Sequence, residues 1–160
     1  MTTRKAGLSK SRIAAFEQCA KRLWLGTYRR ELAEEDPGAR VRFAVGNEVG
    51  RIARELSVGG ILVDAQPDLA AALAETSQLL ADGHRAPIYE ATFQHDGILI
   101  QADVIEPVEG GSWHLAEVKS SGSAKDVQVS DVATQVWIMR EARLPLARAA
   151  VRHIDTSFVL

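Results

Sequence analysis

A chain of 160 residues, 46% hydrophobic and 25% charged, is long enough to bury the core of one domain, and neither a repeat nor a low-complexity run divides it. Its single cysteine excludes an internal disulfide, and no apolar run approaches the ~20 residues that span a bilayer. The net charge of −2 is uneven: residues 1–30 carry eight basic side chains against Glu17 alone, +7, and the remainder carries 11 basic against 20 acidic, −9. The opening MTTRKAGLSK lacks the apolar stretch of a secretory signal, so a soluble, cytoplasmic protein with no membrane partner is expected.

Ser9 or Ser11 is placed to cap a helix running to about Gly26, with Ile13, Phe16, Ala20 and Trp24 on one face and Cys19 as a small buried side chain. Lys10, Arg12, Lys21 and Arg22 make this segment a candidate phosphate-tracking arm, against the plainer alternative of a solvated helix face. Glu31 to Gly38 reads as an acidic loop. A second helix is expected over Val41 to Leu56, where Gly46 and Gly50, four apart, would allow close approach of a backbone or a phosphate. A short strand at Ile61 to Asp64 and a helix from Pro67 to about Ala81 follow. Three strands, Pro87 to Gln94, Gly97 to Glu106 and Trp113 to Lys119, then form a meander with turns at His95-Asp96-Gly97 and Glu109 to Gly111. Apolar residues at both parities of the second strand imply cover on both faces. The expected fold class is therefore α/β (α+β): one domain over 1–160, helical to residue 57, then a mixed sheet flanked by helices.

The chemistry concentrates on the meander. Glu117 and Lys119 are two apart on one strand and share a face, and a hairpin brings Asp103 to them. Two carboxylates at one point repel unless a cation lies between them, and hard oxygen ligands suit Mg²⁺ or Mn²⁺. Such an ion activates water for phosphodiester hydrolysis, while the lysine positions or deprotonates that water or holds a phosphate oxygen. A surface salt bridge is the bland alternative for so short a pattern. Glu90 reads equally as a third carboxylate or as an edge-strand surface residue, since Tyr89 and Phe93 take the core parity. Gln135 lies on the following helix four residues after Asp131, placed to position lysine, water or phosphate, with a solvent-exposed surface position the alternative. Four scattered histidines give no zinc spacing, and no phosphate-cradling glycine motif is present.

The segments IYEATFQHDGILIQADVIEP, WHLAEVKSS and DVATQVWIM resemble the core of the PD-(D/E)XK nuclease superfamily, in particular RecB-like nuclease domains, among them CRISPR-associated adaptation nucleases and a large uncharacterised bacterial family. LSKSRIAAFEQCAKRLWL resembles the opening helix of the same domains. The resemblance implies a restriction-endonuclease-like core with site residues at Glu90, Asp103, Glu117, Lys119 and Gln135. Relatives carry a metal-binding His in Gly-His-x-x-Gly; here Asn47 holds that place as a substitute ligand, with Glu48 the alternative, and Ala102 stands where Pro is usual. Many relatives bind an iron-sulfur cluster through four cysteines, which Cys19 alone does not supply. Relatives continue further at the C-terminus, so truncation is expected, with Ser157 to Leu160 as a strand edge. The resulting expectation is a Mg²⁺- or Mn²⁺-dependent nuclease acting on DNA, with RNA the alternative substrate. A catalytically weak or inactive nucleic-acid-binding module is the alternative function.

Overall fold

The computed structural model describes residues 8–34, 36–64 and 68–157. Within them the elements run β1 (Leu8–Ser9), α1 (Lys10–Gln18), α2 (Ala20–Tyr28), α3 (Ala39–Leu56), β2 (Ile61–Leu62), α4 (Leu69–Ala81), β3 (Ile88–His95), β4 (Ile98–Pro107), β5 (Trp113–Val118), α5 (Asp126–Glu141) and β6 (Leu146–Arg152). The strands form one mixed sheet in the order β2-β3-β4-β5-β6, with β1 paired to β4 off that path. The meander is antiparallel as its turns dictate: Asp96 (φ 51°) and Gly97 (φ 77°) take the left-handed pair that a two-residue hairpin needs. The Asp68 carboxylate caps α4 by accepting from the N–H groups of Ala70 and Ala71, both at 3.1 Å. The start expected at Pro67 lies outside the described residues, as do residues 158–160 of the expected terminal strand edge.

Helices cover both faces of the sheet. The main core joins Ile88, Phe93, Ile100, Ile105, Trp113 and Leu115 to Ala72 of α4 and to Val132, Ile138 and Met139 of α5. On the other face Tyr89, Val104 and Ala116 form a smaller cluster beside α3. β6 was not legible in LARAAVR, which has neither alternation nor a long apolar run; it becomes a strand by pairing parallel to β5 through the crossover helix α5.

Three expectations are corrected. The single helix to Gly26 breaks at Cys19, whose backbone is extended (φ −171°, ψ 123°), so α1 packs on α5 and β4 while α2 turns away. Consequently Cys19 is exposed rather than buried, and Phe16 and Trp24 are 58% and 51% exposed. Of the two approaches expected at Gly46, that of a neighbouring backbone is not made, since a Cβ there would meet nothing within 4 Å.

Ala53 is the one buried residue of α3, so local bonds at its C-terminus hold it. The Tyr89 hydroxyl lies against the carbonyl oxygens of Arg54 (3.0 Å) and Ser57. The Ser57 hydroxyl donates to Glu106 at 2.6 Å, and Arg152 donates to both Glu106 oxygens at 3.1 and 3.0 Å. Gly60 makes room for this arrangement, because a Cβ there would come within 2.5 Å of the Tyr89 ring. Tyr89→Phe is expected to lower stability by about 1 kcal/mol, the net worth of one such bond, and Tm by about 2–4 °C. Urea and thermal unfolding check this, with Gly60→Ala expected to cost more because the ring itself must move.

Candidate active site

The site forms where β4 changes partners. Along one edge β4 pairs with β3 over its length; along the other, β1 takes Ile98 and Leu99 and β5 takes Val104 to Pro107. Neither of the latter ladders covers residues 100–103. Lys10 follows β1 directly, so α1 begins in this split.

Continuing the two antiparallel registers by one residue sets Asp103 level with Glu90 on β3 and with Glu117 on β5, a row of three acids across adjacent strands. The ladder is interrupted along that row. Glu90 has φ 56°, a left-handed conformation that costs a non-glycine residue about 1–3 kcal/mol and gathers at functional sites. The alternation of faces slips there: Ile88, Ala91 and Phe93 all join the main core, as do Ile100, Ala102 and Ile105 on β4. Tyr89 and Phe93 therefore lie on opposite faces, not together as their parity implies. At Asp103 the side chain replaces the missing ladder bond, its Oδ2 accepting from the Val118 N–H at 2.7 Å.

Glu117 is fully buried and fully engaged. Its Oε1 accepts from Lys10 Nζ at 2.7 Å and Lys119 Nζ at 2.6 Å, and its Oε2 accepts from Gln135 Nε2 at 2.8 Å. Gln135 has no solvent exposure, so its alternative as a surface residue falls; its Oε1 has no partner among the described residues. Asp131 stands 3.3 Å from Lys10 and 3.9 Å from Lys119.

The charges divide accordingly. Burial pushes the Glu117 carboxyl up, but the two ammonium groups outweigh it and hold the pKa down at about 2. Burial and then the Glu117 charge raise Asp103; burial and then Asp103 raise Glu90. Burial chiefly, with Glu117 adding and Lys10 opposing, raises Asp131 to about 6. For Lys10 burial works against the charge, but Glu117, Asp131 and Asp103 together outweigh it, and its pKa rises.

A cleft of about 300 Å³ opens over the acid row. Lys10, Glu90, Asp103, Glu117 and Lys119 line it from the sheet side, and Gly46, Asn47, Gly50 and Arg54 from α3. Glu90, Asp103, Glu117, Lys119 and Asn47 thus come together, with Gln135 behind Glu117. Glu48 does not join them, being ion-paired to Arg51 at 2.6 Å. Of the proposed phosphate-tracking arm only Lys10 reaches the cleft. Arg12 is half-buried on α1, and Lys21 and Arg22 line a separate groove of about 650 Å³ along α2. Arg54 and Asp131 were overlooked, although each had a signal: Gly46, Gly50 and Arg54 repeat every four residues, and Asp131 precedes Gln135 by one turn. Nothing local to Lys10 marks it, since its place depends on the β1–β4 pairing.

The donor chemistry fits a hard divalent cation: Asp103 and Glu90 are acids raised by burial and by neighbouring negative charge, a condition that such a cation relieves. The balancing charges on Glu117 are lysines, and no group of three His, Cys, Asp or Glu side chains among the described residues is gathered closely enough to hold a metal. No protein-family model matches this chain, and no curated protein does. Among the described residues no helix is long and apolar enough to cross a membrane.

The signs within the site oppose one another, which makes Asp131 separable. Its folded pKa of about 6 exceeds the unfolded value of about 3.9, so the native state binds the extra proton and stability contributed by this group rises as pH falls through 6. Urea unfolding at pH 7, 6 and 5 is expected to show the wild type gaining stability relative to Asp131→Asn as pH falls. Gln135→Met leaves a buried carboxylate oxygen without its donor and is expected to cost about 1.5–3 kcal/mol at pH 7 in the same assay.

Proposed function

We propose that this chain is a Mg²⁺- or Mn²⁺-dependent nuclease of PD-(D/E)XK, RecB-like type, hydrolysing phosphodiester bonds of DNA. The observation that carries this reading is the row Glu90, Asp103 and Glu117 across three strands, with the Lys119 ammonium 2.6 Å from Glu117 in a cleft open to solvent. Asp103 and Glu117 would hold the ion, with Glu90 and Asn47 within the same cleft. A bound divalent cation supplies an activated water and neutralises charge on the phosphorane oxygens. The protein's own part is orientation. The Val118 N–H fixes the Asp103 carboxylate and the Gln135 amide fixes Glu117, so both acids are aimed before substrate arrives. Lys119 is a hydrogen-bond donor here, which suits holding a phosphate oxygen or orienting the water. Gly46 and Gly50 leave gaps between Asn47 and Arg54 on the facing wall, giving a backbone-carried phosphate room to enter.

A second reading, a nucleic-acid-binding module without catalysis, draws on the engagement of both Glu117 oxygens by protein donors. Circular single-stranded and linear duplex DNA incubated with Mn²⁺ or with EDTA separates the two. Metal-dependent cleavage is expected, reduced about 10²-fold or more in Lys119→Ala at a temperature where circular dichroism shows that variant folded. Undiminished cleavage by that variant would remove Lys119 from the chemistry; binding without any cleavage in Mn²⁺ would establish the module.

A further inference from the structure

Lys10 is held where no surface lysine would be. β1 fixes the residue before it through the Ser9–Leu99 register, α1 begins at it, and its ammonium sits 2.7 Å from Glu117 and 3.3 Å from Asp131. A carboxylate offers about four lone-pair positions, and on Glu117 three are taken by Lys10, Lys119 and Gln135. A divalent cation bound through this carboxylate finds one position left, on Oε2, with two ammonium groups of like charge on Oε1. Withdrawal of one ammonium relieves that repulsion. Lys119 is two residues from Glu117 on the same strand end and has Asp131 only at 3.9 Å; Gln135 is fully buried. Lys10 comes from a different element and already has Asp131 within reach as a second acceptor. Beyond it on the Asp131 side lies a second depression of about 330 Å³, lined by Lys10, Ser11, Ala14, Lys119, Val127, Gln128 and Asp131, which gives the side chain room to turn.

We propose that Lys10 is an internal counter-ion that competes with the divalent metal: it balances Glu117 in the metal-free protein and passes to Asp131 when the metal binds. The proposal rests on the metal-dependent reading and adds to it a control on affinity, exerted by a residue 107 positions from the carboxylate it guards. Lys10 is on this account a positioning residue, and its signature is tighter metal binding on its removal, the opposite of what loss of a ligand or of a structural contact produces.

Calorimetric titration with Mn²⁺ of wild type, Lys10→Met, Lys10→Gln and Lys10→Arg tests it. Loss of one unit positive charge beside the ion is expected to tighten binding by at least about tenfold in the Met and Gln variants, while Lys10→Arg, which keeps the charge, stays near wild type. The rise in melting temperature on adding Mn²⁺ gives an independent readout for a variant that starts less stable, and it is expected to be larger in Lys10→Met than in wild type. Binding by wild type with equal or weaker binding by Lys10→Met and Lys10→Gln overturns the exchange and leaves the nuclease reading standing. No Mn²⁺ binding by wild type or any variant overturns the metal-dependent reading and the exchange together.

Discussion

A carboxylate charge removed entirely from solvent is the constraint around which this protein is arranged. An isolated buried charge costs many kcal/mol, so Glu117 is tenable only because three elements bring donors to it. β5 brings Lys119, α5 brings Gln135 and the junction of β1 with α1 brings Lys10. Each of these depends on topology. The parallel return of β6 places α5 across the sheet, and the split in β4's pairing lets α1 begin beside the acid row.

The two walls of the cleft are built differently. The sheet wall is backed by the main core, with Ile105, Leu115 and Ala102 fully buried behind it. The α3 wall buries Ala53 alone and is pinned at its C-terminal end through Tyr89, Ser57, Glu106 and Arg152. Residues 46 and 47 lie three turns from that anchor, on the part of α3 least held by side chains. Local stability follows buried contact, so this part of α3 is held less firmly than the sheet wall it faces.

Charge balance links stability to chemistry. Glu90, Asp103, Glu117 and Asp131 face Lys10, Lys119 and Arg54; burial raises all four acids, and only in Glu117, which both ammonium groups contact, is the result a lowered pKa. The strained backbone at Glu90 belongs to the same account, since the slip in both strands turns acidic positions toward the cleft while keeping Ala91, Ala102 and Ile105 in the core.

Local pattern carried most of the framework. Strand and turn chemistry from Ile88 to Val118, the extent of α3 and α4, and the grouping of Asp103, Glu117 and Lys119 all follow from side-chain period, Gly and Asp in the turns, and a two-residue repeat on a strand. Where the period is regular, the sequence states its own partner face. It does not state where the period slips, and so Tyr89 was assigned to the wrong face. Nor did it reveal β6, the break at Cys19 or the place of Lys10, because each is set by contacts distant in the chain: LARAAVR acquires its conformation from β5, α2 departs where α1 has exhausted its contacts, and Lys10 meets Glu117 only through a two-residue ladder on β4. Spacing thus determined that Asp103, Glu117 and Lys119 meet, and tertiary structure decided their charge partners, because electrostatic pairing depends on distances in space that no local repeat encodes.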